Sequence, residues 1–266
     1  MKSRITKKFQ GLKEENKKAL ITYVTAGDPD LDTTYHLVLE MERAGADIIE
    51  LGIPYSDPLA DGPVIQRAAE RALKAGANIT SIFQLVAKLR EKTQIPLVFL
   101  VYYNCVFKYG MERFLDNCRQ SGIDGLVIPD LPLEERKELQ EMMKDYPIDL
   151  IPLVAPTSEG RIEEIVKDTE GFIYCISSTG VTGTRQGFEI NLDNFLQKVR
   201  KYTDVPLALG FGISTPEMIE SLKHLCDGLI VGSAIIEKIE EGIQKGNIKE
   251  KVYAFTKKLD EAKNIA

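Results

Sequence analysis

Short runs of Val, Ile, Leu and Tyr alternate with longer stretches whose apolar residues recur at helical spacing, and the alternation continues to the end of the chain. The pattern predicts strands over residues 19–24, 47–52, 96–103, 124–128, 148–154, 171–177, 206–210 and 227–232. Helices are predicted over 31–44, 63–75, 79–92, 111–121, 133–145, 158–168, 192–202 and 215–225, and along the C-terminal stretch to about Lys263. The strands are almost continuously apolar, as parallel strands covered on both faces must be. Eight strand–helix units predict an α/β fold, a (β/α)8 TIM barrel, as one domain over residues 1–266, with an extra N-terminal helix plugging the barrel floor.

An internal echo supports repeated paired units. Strands three, five and seven are entered through Pro96, Pro147 and Pro206, whereas strands two, four and eight follow helix ends carrying Asp47, Asp124 and Asp227. Proline presets an extended entry, and Gly45 and Gly122 suit helix C-caps. The competing fold, a doubly wound open sheet, calls for a glycine-rich dinucleotide turn after the first strand, and the turn at Thr25, Ala26, Gly27, Asp28 and Pro29 is not one.

Composition narrows the function. With 44% hydrophobic and 28% charged residues, the chain can bury a core. Its net charge of −6, with signs mixed throughout, offers no basic stripe to nucleic acid or an anionic bilayer. The polar N-terminus and the lack of a long apolar run predict a cytoplasmic protein. Cys105, Cys118, Cys175 and Cys226 are widely spaced and suit a reducing compartment, and two histidines, His36 and His224, poorly supply a metal site.

Active sites of such barrels stand at the C-terminal ends of the strands. Glu50, in an otherwise apolar strand, points into the barrel mouth, where burial raises a carboxyl pKa and suits proton exchange near neutrality; otherwise it is a buried, internally satisfied glutamate. Asp61 lies in a proline-stiffened loop. It either opposes Glu50 or caps the helix starting at Pro63, and Asp57 and Asp130 are rim carboxylates or turn formers. Glycine clusters around Gly180 and Gly183, Gly210 and Gly212, and Gly232 with Ser233 read together as a phosphate cup, or singly as packing glycines. No lysine lies in a predicted strand, which removes the Schiff-base route of an aldolase. Acid–base chemistry by carboxylates on a phosphorylated, flat, apolar substrate remains, with Tyr23, Leu100, Tyr102, Ile128, Ile151 or Leu153, Tyr174 and Phe211 as slot lining or plain core.

The motifs YVTAGDP (23–29), ELGIPYSDPLADGP (50–63), PDLP (129–132), GVTG (180–183), GFGIS (210–214) and VGSA (231–234) resemble, in order, the alpha subunit family of tryptophan synthase. The resemblance spans nearly the whole chain and is most specific over 50–63. It implies cleavage of indole-3-glycerol phosphate to indole and glyceraldehyde 3-phosphate, with no metal or organic cofactor in this chain. Glu50 would act in the proton transfers and Asp61 would hold the indole N–H. Tyr23, Leu100, Tyr102, Ile128, Tyr174, Thr182, Gly183, Phe211, Gly212, Gly232 and Ser233 would bind the substrate.

The resemblance also implies a pyridoxal-phosphate beta subunit in an alpha2-beta2 tetramer, contacted through the loop around Asp57 and the strand-three exit at Asn104. Where some members carry arginine before the glycines of the strand-six loop, this chain has Ser177 and Ser178, with Arg185 nearby as a substitute. Two other functions compete: a stand-alone lyase releasing free indole, and a non-catalytic phosphate-binding barrel serving as an allosteric partner.

Overall fold

A computed structural model describes residues 3–176, 192–210 and 212–264. The chain opens with helix α1 (Arg4–Glu14), followed by β1 (Ala19–Thr25), α2 (Leu31–Arg43), β2 (Ile48–Gly52), α3 (Pro63–Lys74) and α4 (Ile79–Arg90). It continues through β3 (Leu97–Leu100), α5 (Tyr103–Tyr109), α6 (Met111–Ser121), β4 (Gly125–Val127), α7 (Leu133–Met143), β5 (Asp149–Ile151) and β6 (Leu153–Val154). A 3-10 segment (Pro156–Arg161) then leads to α8 (Ile162–Val166), β7 (Ile173–Ile176), α9 (Leu192–Arg200), β8 (Leu207–Gly210), α10 (Pro216–Leu222), β9 (Gly228–Val231), α11 (Ser233–Lys245) and α12 (Ile248–Asn264).

Every strand pairing is parallel, in the order β5-β4-β3-β2-β1-β9-β8-β7-β6. The two ends of this order are consecutive in the chain. Pro152, which has no N–H to give a ladder, divides the fifth predicted strand: β5 pairs with β4 and β6 with β7, while the Pro152 carbonyl accepts from the Tyr174 N–H at 2.9 Å. The ring closes through this interrupted strand, giving the (β/α)8 barrel the pattern predicts.

Alternation along the strands sorts side chains into two layers. Ile21, Ile48, Val98, Val127, Ile151, Phe172, Tyr174, Ala208 and Ile230 face the barrel axis, and the opposite faces pack against the helices. Ile5, Phe9 and Leu12 of α1 join the axial cluster and close the floor. The fit is tight at Gly125, where a Cβ would lie 2.9 Å from Ile5 Cδ1. Ser3 caps α1 by accepting from the Thr6 N–H and donates to Asp149 Oδ2 at 2.6 Å, and Arg4 reaches Asp124 Oδ1 at 2.8 Å.

The aspartates preceding β2, β4 and β9 have a specific task. Asp47 gives its N–H to the Leu20 carbonyl at 2.8 Å and accepts the Leu20 N–H on Oδ2 at 2.9 Å. Asp124 clamps Leu97 the same way, at 2.9 Å both ways, and Asp227 clamps Leu207, at 2.8 Å both ways. Each buried or half-buried carboxylate is neutralised by a cation: Lys263 for Asp47, Arg90 and Arg4 for Asp124, and Arg200 for Asp227.

The structure corrects several predicted boundaries. The third strand stops at Leu100, and Tyr103 begins α5, a helix hidden in a run of apolar residues that reads as more strand. No local side chain caps α5; Asp130 Oδ1, from the next strand's exit loop, accepts the Tyr103 N–H at 2.8 Å. Residues 158–168 form a 3-10 turn followed by a short α-helix, and the C-terminal stretch is two helices separated at Gly246, which ends α11 with φ +68. Among the described residues no helix is long and apolar enough to cross a membrane.

Candidate active site

Glu50 occupies the middle of β2, where the inward face of the strand carries it into the barrel. It is 2% exposed, and Oε1 has no hydrogen-bond partner among the described residues. Burial, reinforced by the nearby Asp61 carboxyl, pushes its pKa up to about 8. A core glutamate kept for stability would have its oxygens bonded. This one holds an unengaged oxygen inside a ring of apolar and phenolic side chains.

Tyr23 stands directly opposite Glu50 on β1, and its hydroxyl lies 3.1 Å from Thr25 Oγ1. Gly52 makes room for it, since a Cβ there would fall 2.1 Å from the Tyr23 hydroxyl oxygen. Across the barrel Gly210 does the same for Tyr174, whose ring atoms would lie 2.7 to 2.9 Å from a Cβ. Both phenols are buried and held well above the usual tyrosine range, first by burial, with the site carboxyls adding to it.

Asp61 is set by its loop. Tyr55 packs on Tyr102 with ring centroids 5.2 Å apart, Asn104 donates to the Tyr55 hydroxyl at 2.9 Å, and the Ala60 N–H donates to the Tyr102 hydroxyl at 3.0 Å. This grip holds Asp61 over the mouth. Burial raises the Asp61 pKa to about 6, opposed by hydrogen bonding from Tyr102. Asp61 does not cap α3, because the N-cap is Gly62 and no side chain bonds the first turn.

The remaining expected residues divide. Leu100, at the end of β3, touches the axial cluster. Ile128 lies one residue past β4 and packs in the sheet–helix layer, while its neighbour Val127 faces the axis; the two-residue alternation from Gly125 is the signal that singles out Val127. Gly212 has φ +78 and open space where a Cβ would be, and Gly232 precedes α11 with nothing nearer than 3.5 Å. Ser233 begins α11, whose first turn no side chain caps, leaving its amides to face an anion. Thr182, Gly183 and Phe211 lie outside the described residues. Among the described residues no cluster of His, Cys, Asp or Glu is arranged to hold a metal.

Sequence reading missed the ties behind this mouth. Asp28, fully buried, takes a two-point contact from Arg71 at 2.7 and 2.8 Å, and Arg71 also reaches Glu240 on α11 at 2.7 Å. The helix following Asp61 is thereby joined to the helix that opens at Ser233.

Residues 9–264 match the family model for the tryptophan synthase alpha chain. A tryptophan synthase alpha chain of Alkaliphilus metalliredigens is 69% identical over 265 residues, covering 100% of both chains. The chain belongs to the tryptophan synthase alpha chain family. Solved members share its architecture. Tryptophan synthase subunit alpha of Legionella pneumophila superposes with a TM-score of 0.89 at 32% identity, covering 98% of each chain. A chain of Mycobacterium tuberculosis tryptophan synthase gives 0.90 at 31% identity, covering 100% of each.

Proposed function

We propose that this chain is a carbon–carbon lyase of tryptophan biosynthesis, cleaving indole-3-glycerol phosphate to indole and glyceraldehyde 3-phosphate. The observation that carries this reading is Glu50: a buried carboxyl with an unpaired oxygen, poised to hold or release a proton near neutral pH, beside a second carboxyl at the mouth.

The chemistry follows from those two groups. Protonated Glu50 delivers its proton to indole C3, and the ring becomes an iminium cation. Asp61, ionised, accepts the indole N–H and stabilises that charge. Glu50, now a carboxylate, removes the proton of the side-chain hydroxyl next to C3. The C–C bond breaks, its electron pair restores the indole, the hydroxyl carbon becomes the aldehyde of glyceraldehyde 3-phosphate, and Glu50 regains its proton. Tyr23, Leu100, Tyr102 and Tyr174 bound the ring's slot. Phe211 joins that slot, Thr182 also contacts the substrate, and Gly183, Gly212, Gly232 and Ser233 take the phosphate end, where the α11 N-terminus favours an anion.

A beta subunit is the partner this family membership implies, and we assign the pair to an alpha2-beta2 tetramer in the cytoplasm. Leu59 in the Asp61 loop is 91% exposed and Phe107 on α5 66%, apolar surface that supports docking on the rim beside the active site. An indole-release assay on indole-3-glycerol phosphate, with and without a beta subunit, tests the reading: absence of indole in both conditions would overturn it.

A further inference from the structure

A cavity of about 200 Å3 opens behind the barrel, between the interrupted strand at Pro152 and helices α7 and α8. Most of its apolar lining, including Ile128, Leu131, Leu150 and Ile165, belongs to the sheet–helix layer, while Ile151 and Leu153 reach it from the axial layer. Two arginines, Arg136 and Arg161, are the charged members of this otherwise apolar wall.

Arg136 is 6% exposed, so its guanidinium has been taken almost wholly out of water. Nη1 donates to the Ile165 carbonyl at 2.6 Å and Nη2 to Thr169 Oγ1 at 3.3 Å, but the buried Nε has no partner among the described residues. No carboxylate of a described residue pairs with this cation. Arginines withdrawn less fully from water are treated differently: Arg90 meets Asp124 at 2.8 Å, and the half-buried Arg71 meets Asp28 at 2.7 Å. A buried, uncompensated cation with an open donor is unfavourable unless an anion completes it. Burial lowers the Arg136 pKa, in keeping with the missing counter-charge. At the rim, Arg161 is half-exposed and bonded to Glu134 at 2.6 Å, so the lining arginines and this partner sum to a positive charge.

We propose that this cavity is a second binding site, taking a compact monocarboxylate with an apolar body: the carboxylate pairs with the Arg136 guanidinium, and the body packs on Leu131, Leu150 and Ile165. The cavity lies below the ~300 Å3 at which sites for drug-sized ligands begin, which selects a single ring or short branched chain. Phosphate, with more charge to satisfy and no apolar body, fits this wall poorly.

Calorimetric titration of the full chain with benzoate is the test, with benzamide as the neutral counterpart of the same shape. Benzoate binds saturably, benzamide binds at least about tenfold more weakly, and Arg136→Met weakens benzoate about 10- to 100-fold, the range of a charged hydrogen bond. Ile165→Phe, which fills the cavity and keeps the arginine, abolishes benzoate binding; this arm and the benzamide arm decide the matter if the Arg136 variant does not fold. Glycerol 3-phosphate does not displace benzoate. Equal binding of benzoate and benzamide, no saturable benzoate binding, or displacement by glycerol 3-phosphate would each overturn the proposal, the last by moving the site to the barrel mouth. Indole release has no part in this test, so failure of the lyase reading and failure of the second site are separable.

Discussion

The Tyr102 hydroxyl accepts the Ala60 N–H at 3.0 Å, across 42 residues of sequence. That bond joins the exit of β3 to the loop presenting Asp61, while the Tyr102 hydroxyl opposes the rise that burial gives the Asp61 pKa. Removing the hydroxyl therefore acts on position and on charge together.

Tyr102→Phe keeps the ring against Tyr55, loses the bond from the Ala60 N–H and removes the hydroxyl that opposes the rise in the Asp61 pKa. We expect kcat/KM to fall about tenfold, in line with the loss of a charge-assisted hydrogen bond, and the acid limb of the pH profile to move to higher pH. Steady-state kinetics across pH checks this; an unmoved acid limb with unchanged kcat/KM would show that Tyr102 only fills space.

Glu50→Gln preserves shape and ends proton transfer, so kcat falls by about 10² to 10⁴. Its effect on stability runs the other way. The folded carboxyl titrates near 8 against an ordinary value of 4.5, so between these the native state binds more protons than the unfolded one, and stability declines as pH rises through that window. The amide has no such decline. Thermal melts should show the variant gaining on the parent between about pH 5 and pH 8.5 by linkage; a constant gap would disprove the raised pKa.

The pH–rate profile of kcat/KM should be bell-shaped. Asp61 must be ionised and titrates near 6, whereas Glu50 must begin protonated and titrates near 8. Activity drops below the first value and above the second. A rate that keeps rising above pH 8 would reverse the order of the two proton steps at Glu50.

At the phosphate end two substitutions separate strain from ligand contact. Gly232 meets nothing closer than 3.5 Å, so Gly232→Ala should melt like the parent yet bind substrate and glycerol 3-phosphate more weakly together. Gly212, at φ +78, adds about 1–2 kcal/mol of backbone strain when replaced by valine and should lose stability as well. If glycerol 3-phosphate binds both variants normally, the cup lies elsewhere.

The floor is predicted to govern stability without touching turnover. Ile5 is fully buried in the axial cluster, and Ile5→Ala should cost about 2–5 kcal/mol in denaturant unfolding, with kcat preserved in the folded fraction.

Much of this was legible in the chain because burial on both faces leaves an unmistakable run of apolar residues, and a lone Glu50 inside such a run stands out. What escaped depends on distant partners. Helix α5 is capped by Asp130 from another loop, and the division of strand five at Pro152 shows only once both of its neighbours are in place. Ile128 closes the predicted strand 124–128, but a strict two-residue alternation turns Val127 to the axis and Ile128 to the helices. The tie among the buried Asp28 and the half-buried Arg71 and Glu240 joins residues too far apart in the sequence for any local pattern to reveal.

The aspartate clamps carry a meaning for how such a chain can be cut and rejoined. Each lock lies within one pair of neighbouring strands, β1 with β2, β3 with β4, and β8 with β9, and none spans the gap from β2 to β3. New termini opened in the turn around Gly76 leave every lock inside a continuous piece, whereas a break near Gly45 parts Asp47 from Leu20. The barrel is in this sense a set of prefabricated two-strand staves, and its natural joints for circular permutation or fragment exchange fall between staves.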